Sequence, residues 1–209
     1  PISCETHALG AVAALGGGLL YLLRGVWTDA AIPAVAAALC FCLSMAALYA
    51  ASAIYHYYPG TAASGGVKRV LRKMDHSMIY VLIAGSYTPF CVVLLPQPRG
   101  TQFCLILWGV ALAGVLARLL WINDPRMLST AVYLIMGWSV VFVAKDFAAL
   151  GQPCLTLVAI GGICYSVGAV FYAIKKPNLS AEWTFHELFH LLILAGSFFH
   201  YLAVYLYVL

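Results

Sequence analysis

The chain has 209 residues, 64% of them hydrophobic and only 9% charged, with a mean hydropathy of +0.96. Soluble domains carry about 25% charged residues, so an ordinary soluble domain, a disordered chain and a nucleic-acid binder are all excluded. The net charge of +4 is small, and its placement matters more than its size.

At about 20 residues per bilayer-spanning helix, the length leaves room for seven or eight spans and for no separate soluble domain. Membrane-barrel strands alternate apolar and polar residues over ~10 positions. The apolar runs here are continuous and about twice that long, so they are read as helices. We therefore predict an all-α integral membrane protein, one domain over residues 1–209. Its seven-helix bundle has helices at about 7–24, 30–57, 76–96, 102–121, 127–145, 153–174 and 184–209. The breaks carry turn signals such as Pro59-Gly60, Asn123-Asp124-Pro125-Arg126 and Lys175-Lys176-Pro177-Asn178.

The first segment has no basic stretch followed by a cleavable apolar core, so no signal peptide is expected. Its Gly16-Gly17-Gly18 suits close helix–helix approach, and His7 is expected to pack at the interface. Segment two ends with Ser52 and His56, spaced i, i+4 on one helix face. Between segments two and three, Val67, Val70, Leu71 and Met74 recur at helical spacing among Lys68, Arg69, Arg72 and Lys73. Two readings stand for this stretch: an amphipathic helix lying on the anionic inner leaflet, or a solvated loop. Segment three opens with Asp75 and His76, the latter expected to meet headgroups, and carries Pro89. That proline should kink the helix, with Ser86 or Thr88 satisfying freed carbonyls. Segment seven opens with His186 and His190, again i, i+4, and holds His200 ~15 Å further along, where an interhelical hydrogen bond is expected. The seven scattered cysteines form no C-x-x-C pair and are read as packing residues.

The cations divide unequally. Lys68, Arg69, Arg72, Lys73, Arg118, Arg126, Lys175 and Lys176 fall at connections 2–3, 4–5 and 6–7, against Arg24, Arg99 and Lys145 at the others. The positive-inside rule then puts the N-terminus in the cytoplasm and the C-terminus outside.

Ionisable groups in spans are costly and are functional candidates by default. Three helices here deliver Ser52, Asp75, His56, His186 and His190 to one depth on the cytoplasmic side. Three neutral imidazoles with a fourth position left for water form a ligand set of catalytic zinc, and no thiolate is near. Cys40 and Cys42 lie ~20 Å from His56 along its helix. We expect one zinc per chain on His56, His186 and His190, with occupancy falling below about pH 6 as imidazoles protonate. His186-Glu187-Leu188-Phe189-His190 also matches the H-E-x-x-H of metalloproteases, in which Glu is the base. Thr184, three residues before Glu187, offers the alternative of a capping box.

Ser52-x-x-x-His56, Asp75-His76-Ser77-Met78-Ile79-Tyr80-x-x-Ile83-Ala84-Gly85-Ser86-Tyr87-Thr88-Pro89 and His186-Glu187-x-x-His190 together resemble the bacterial haemolysin III proteins. These belong with the progestin and adipoQ receptors, which include the adiponectin receptors, and more loosely with the alkaline ceramidases. The resemblance implies a seven-helix fold with zinc on His56, His186 and His190, Asp75 as the acid beside the zinc-bound water, and Ser52 as a hydroxyl near it. It further implies a multi-pass protein of the bacterial cytoplasmic membrane that hydrolyses a membrane lipid amide, as a ceramidase does. Two alternatives stand beside this one. A non-enzymatic regulator or pore-forming cytolysin would use a structural zinc, and an intramembrane metalloprotease would use Glu187 as base. Membrane lipids are the implied partners, as bilayer and as substrate, and no nucleic acid is expected.

Overall fold

Apolar runs bounded by Pro and Gly leave the chain one way to satisfy its backbone in lipid, which is to coil on itself. The computed structural model describes residues 2–61, 66–120, 126–148 and 151–209, and among these there is no strand. The helices are α1 (Ile2–Trp27), α2 (Ile32–Tyr57), α3 (Gly66–Pro89), α4 (Arg99–Leu120), α5 (Arg126–Gly137), α6 (Ala144–Ala148), α7 (Gln152–Ile174) and α8 (Phe185–Tyr207). Among the described residues six helices are long and apolar enough to cross a membrane: α1, α2, α3 with its extension to Leu94, α4, α7 and α8. The fifth predicted segment contains a shorter apolar stretch, Met127–Val143.

Two helices are shaped by side chains entering the backbone ladder. After Pro89 the coil of α3 widens into a π-helical turn, Phe90–Leu94. Ser86 and Thr88 donate to the carbonyls of Ile83 and Ala84 at 2.8 and 2.9 Å, and the Gln97 amide donates to Cys91 and Leu95. The hydroxyl bonds go to Ile83 and Ala84 rather than to Gly85, whose carbonyl the proline frees, and the chain answers the proline with a change of winding. In the fifth segment the Tyr87 hydroxyl donates to the Gly137 carbonyl and accepts from Val140 N–H. A side chain inserted there displaces a backbone bond, and Trp138–Val143 tightens into a 3₁₀ turn before α6.

The Lys68–Met74 stretch is neither a separate interfacial helix nor a loop, because α3 begins at Gly66 and runs unbroken through Asp75. Two of its cations close the ends of neighbouring helices. Lys68 donates to the Tyr55 and Tyr58 carbonyls at the end of α2, and Lys73 to Leu119 at the end of α4. The last four carbonyls of a helix have no partner within it, so ammonium groups there are stabilising.

Contacts fix the helix directions. Gly18 meets Cys42 while Gly25 meets Val35, so α1 and α2 are antiparallel. The same alternation joins α3 to α4, through Lys73 with Leu119 and Thr88 with Trp108, and α7 to α8. By contrast α1 and α8 are parallel: Ser3 bonds Glu187, Tyr21 bonds Tyr201 and Arg24 bonds Tyr205. The fifth segment runs along α3 from Tyr133, bonded to His76, to Gly137, bonded to Tyr87, and Arg99 at the start of α4 then pairs with Asp146. Within the glycine triplet, Gly17 faces Tyr201 and Gly18 faces Cys42, while Gly16 has open space.

Candidate metal centre

The i, i+4 spacings do what helical geometry dictates. On α8, His186 and His190 stack one turn apart with ring centroids 4.6 Å from each other. His56 at the end of α2 faces both, at 4.9 and 5.0 Å. One ring nitrogen from each of the three comes within 4.8 Å of the others. His186 Nε2 and His56 Nε2 lie 3.1 Å apart. Two nitrogens on a tetrahedral zinc, each bonded at ~2.0–2.1 Å, stand ~3.3 Å apart. The donor set and its spacing therefore fit zinc. His190 is 2% exposed and its Nδ1 has no hydrogen-bond partner.

Ser52, one turn deeper than His56 on α2, is buried beside Asp75 of α3, which is also buried. Both line a cavity of about 400 Å³ together with His186 and His190. The rest of its wall is largely apolar, formed by Ile83, Phe90, Val141, Phe147 and Leu155 among others. The histidine cluster thus borders a largely apolar chamber.

Glu187 is committed elsewhere. Its Oε2 accepts from Thr184 N at 3.0 Å and from the Thr184 hydroxyl, which in turn accepts from His186 N. Its Oε1 accepts from Ser3 at 2.8 Å. Of the two sequence alternatives for Glu187, the capping box is the one formed.

The model of the Haemolysin-III related family matches residues 1–201. The chain belongs to that family. It is 32% identical over 207 residues to Hemolysin-3 of Bacillus cereus, covering 98% of this chain and 89% of the relative. It is 37% identical over 158 residues to the Hemolysin-3 homolog of Bacillus subtilis, covering 75% and 70%. It is 25% identical over 221 residues to the Adiponectin receptor protein of Drosophila melanogaster, covering 94% and 48%. With its apolar helices, this makes it a multi-pass membrane protein.

Three residues of this haemolysin-III-related chain sit differently from expectation. His76 does not face headgroups: its Nδ1 pairs with Arg118 and its Nε2 with the Tyr172 hydroxyl at 3.2 Å, so the ring is held inside the bundle. Arg118 does not belong to the 4–5 connection either, being buried near the end of α4 on the cavity wall. The charge asymmetry between the two sides falls to seven against three once Arg118 is removed. His7, expected to pack at the interface, is buried and lies against the cluster, its ring stacked on His190 at 3.7 Å. His200 does make its interhelical bond, to the Val158 carbonyl at 3.1 Å.

Proposed function

We propose that this chain is a seven-span protein of the bacterial cytoplasmic membrane, N-terminus inside, that hydrolyses a membrane lipid amide at a zinc site on its cytoplasmic side. The parallel pairing of α1 with α8 supports seven crossings. An odd number of crossings must lie between two parallel spans; six long helices leave four between α1 and α8, and the run of the fifth segment along α3 supplies the fifth. The observation that carries the chemical reading is the three-imidazole cluster bordering a largely apolar cavity, beside a buried carboxylate that is not one of the three.

His56, His186 and His190 would hold the zinc. Bound there, it supplies a Lewis acid for the carbonyl and lowers the pKa of a coordinated water to ~7. Asp75 would accept a proton from an attacking water and return it to the leaving amine. Ser52, beside Asp75, orients the attacking water or the carbonyl by hydrogen bonding. Arg118 puts a fixed positive charge on the cavity wall, suited to a reaction whose product is a carboxylate. The apolar remainder of the cavity takes the acyl chain.

The test is Asp75→Asn, compared with wild type in reconstituted vesicles containing a long-chain ceramide. Zinc should stay at one per chain while hydrolysis falls 10²- to 10⁴-fold, the range for loss of a general base. Unchanged lipid composition in cells expressing wild type and Asp75→Asn alike would favour the non-enzymatic role, in which zinc only ties α2 to α8.

A further inference from the structure

We propose that His7 is a substrate-binding residue of this site, gripping an uncharged polar group of the lipid with the nitrogens on its ring edge. The inference rests on the lipid-amide reading above and adds a residue to it from α1, which contributes nothing to the three-imidazole cluster.

His7 is 2% exposed. It stacks on His190, 3.7 Å between centroids and 6° from parallel, and the tilted Tyr49 ring lies 5.0 Å away. The helix carrying it is pinned on either side of the histidine. Ser3, one turn earlier, bonds Glu187, and at Gly10 an added Cβ would stand 2.6 Å from Leu194, so α1 lies as close as a glycine permits. The ring is therefore closely packed, and its nitrogens lie on the edge that remains to bond. Neither Nδ1 nor Nε2 makes a well-aligned hydrogen bond, the His190 backbone being the polar group that engages the ring, and the residue lines the cavity.

Buried polar atoms are almost always paired, and leaving one unpaired costs as much as a lost hydrogen bond. Ring nitrogens left this poorly satisfied on a packed ring at the cavity wall are suited to a ligand. A neutral imidazole offers one donor and one acceptor. A hydroxyl or a secondary amide also has one of each kind and can satisfy both. Carboxylate and phosphate oxygens only accept. The preferred head is thus neutral and hydroxyl- or amide-bearing.

The decisive comparison is His7→Phe, which keeps the stacked ring and removes both nitrogens. Zinc content and binding of a C16 ceramide are measured on purified protein in nanodiscs, with palmitate as a carboxylate control. The expected result is one zinc per chain, at least a tenfold loss of ceramide affinity and less than a twofold change for palmitate. Wild-type affinity for ceramide in His7→Phe would overturn the proposal, and so would loss of zinc, which would make His7 part of the metal-holding shell. Should His7→Phe fail to fold, His7→Gln and His7→Met give the same contrast, Gln retaining affinity and Met losing it. If wild type itself binds no ceramide, the lipid-amide reading falls and takes this role of His7 with it.

Discussion

Glu187 is where the competing functional readings make opposite forecasts. As a capping residue it accepts three hydrogen bonds, from Thr184 N, the Thr184 hydroxyl and the Ser3 hydroxyl. Glu187→Gln keeps an oxygen for Thr184 and can turn its NH₂ to the Ser3 hydroxyl, so it loses only the charge at the N-terminus of α8. That charge contributes about 0.3–1 kcal/mol, and for a protein of this size ~1 kcal/mol moves Tm by roughly 2–4 °C. Glu187→Ala loses all three bonds, at about 1 kcal/mol each, so its Tm should fall by roughly 6–12 °C. Turnover per zinc should be within twofold of wild type in Glu187→Gln. Thermal unfolding in detergent, zinc content and ceramide hydrolysis on the same preparations make the measurement. A 10²- to 10⁴-fold loss of turnover in Glu187→Gln, with zinc and Tm intact, is the signature of a general base and would refute the capping assignment.

His56→Ala and His190→Ala should each lose most of the zinc, whereas His200→Ala should retain it, because its nitrogen is bonded to Val158 on α7; metal analysis of purified protein checks this, and equal loss in all three would refute the ligand set. Gly85→Ala should lower Tm by several degrees, since its Cβ would fall 2.2 Å from Ser44 Oγ and overpacking costs about 1–3 kcal/mol; Ser44→Gly in the same chain should recover most of that loss. A reporter fused after Leu209 that is active only outside the cytoplasm should be active, and cytoplasmic activity would reverse the orientation.

The three-histidine cluster was legible because its signal is local. A pair at i, i+4 on each of two helices, placed at the same end of long apolar runs, needs no tertiary knowledge to be aligned. Glu187 was legible in the same way through Thr184. His7 was not, because its role depends on α1 lying parallel to α8, and no local pattern specifies which non-adjacent helices touch. Arg118 was miscounted for a related reason: a cation near the end of an apolar run looks the same whether it snorkels outward or turns inward. Its inward turn is set by His76 and the cavity wall. The start of α3 was misplaced because the cations from Lys68 to Lys73 interrupt hydropathy without interrupting helix. Their partners are carbonyls at the ends of other helices, which only the assembled bundle supplies.

The pairing of α1 with α8 also orders the protein's biogenesis. During synthesis α1 enters the bilayer long before α8 exists, carrying Ser3, His7, Tyr21 and Arg24 on the stripe that α8 will cover. In that interval these groups must find water, headgroups or an insertion chaperone. Only when α8 has been threaded in does Glu187 reach Ser3, and only then do His186 and His190 meet His56. A ribosome stalled before residue 185 would leave a membrane-inserted chain with an open seam and one histidine of the three. The ring of helices therefore closes and the site becomes complete in the same event, so no partly made chain can carry a working centre.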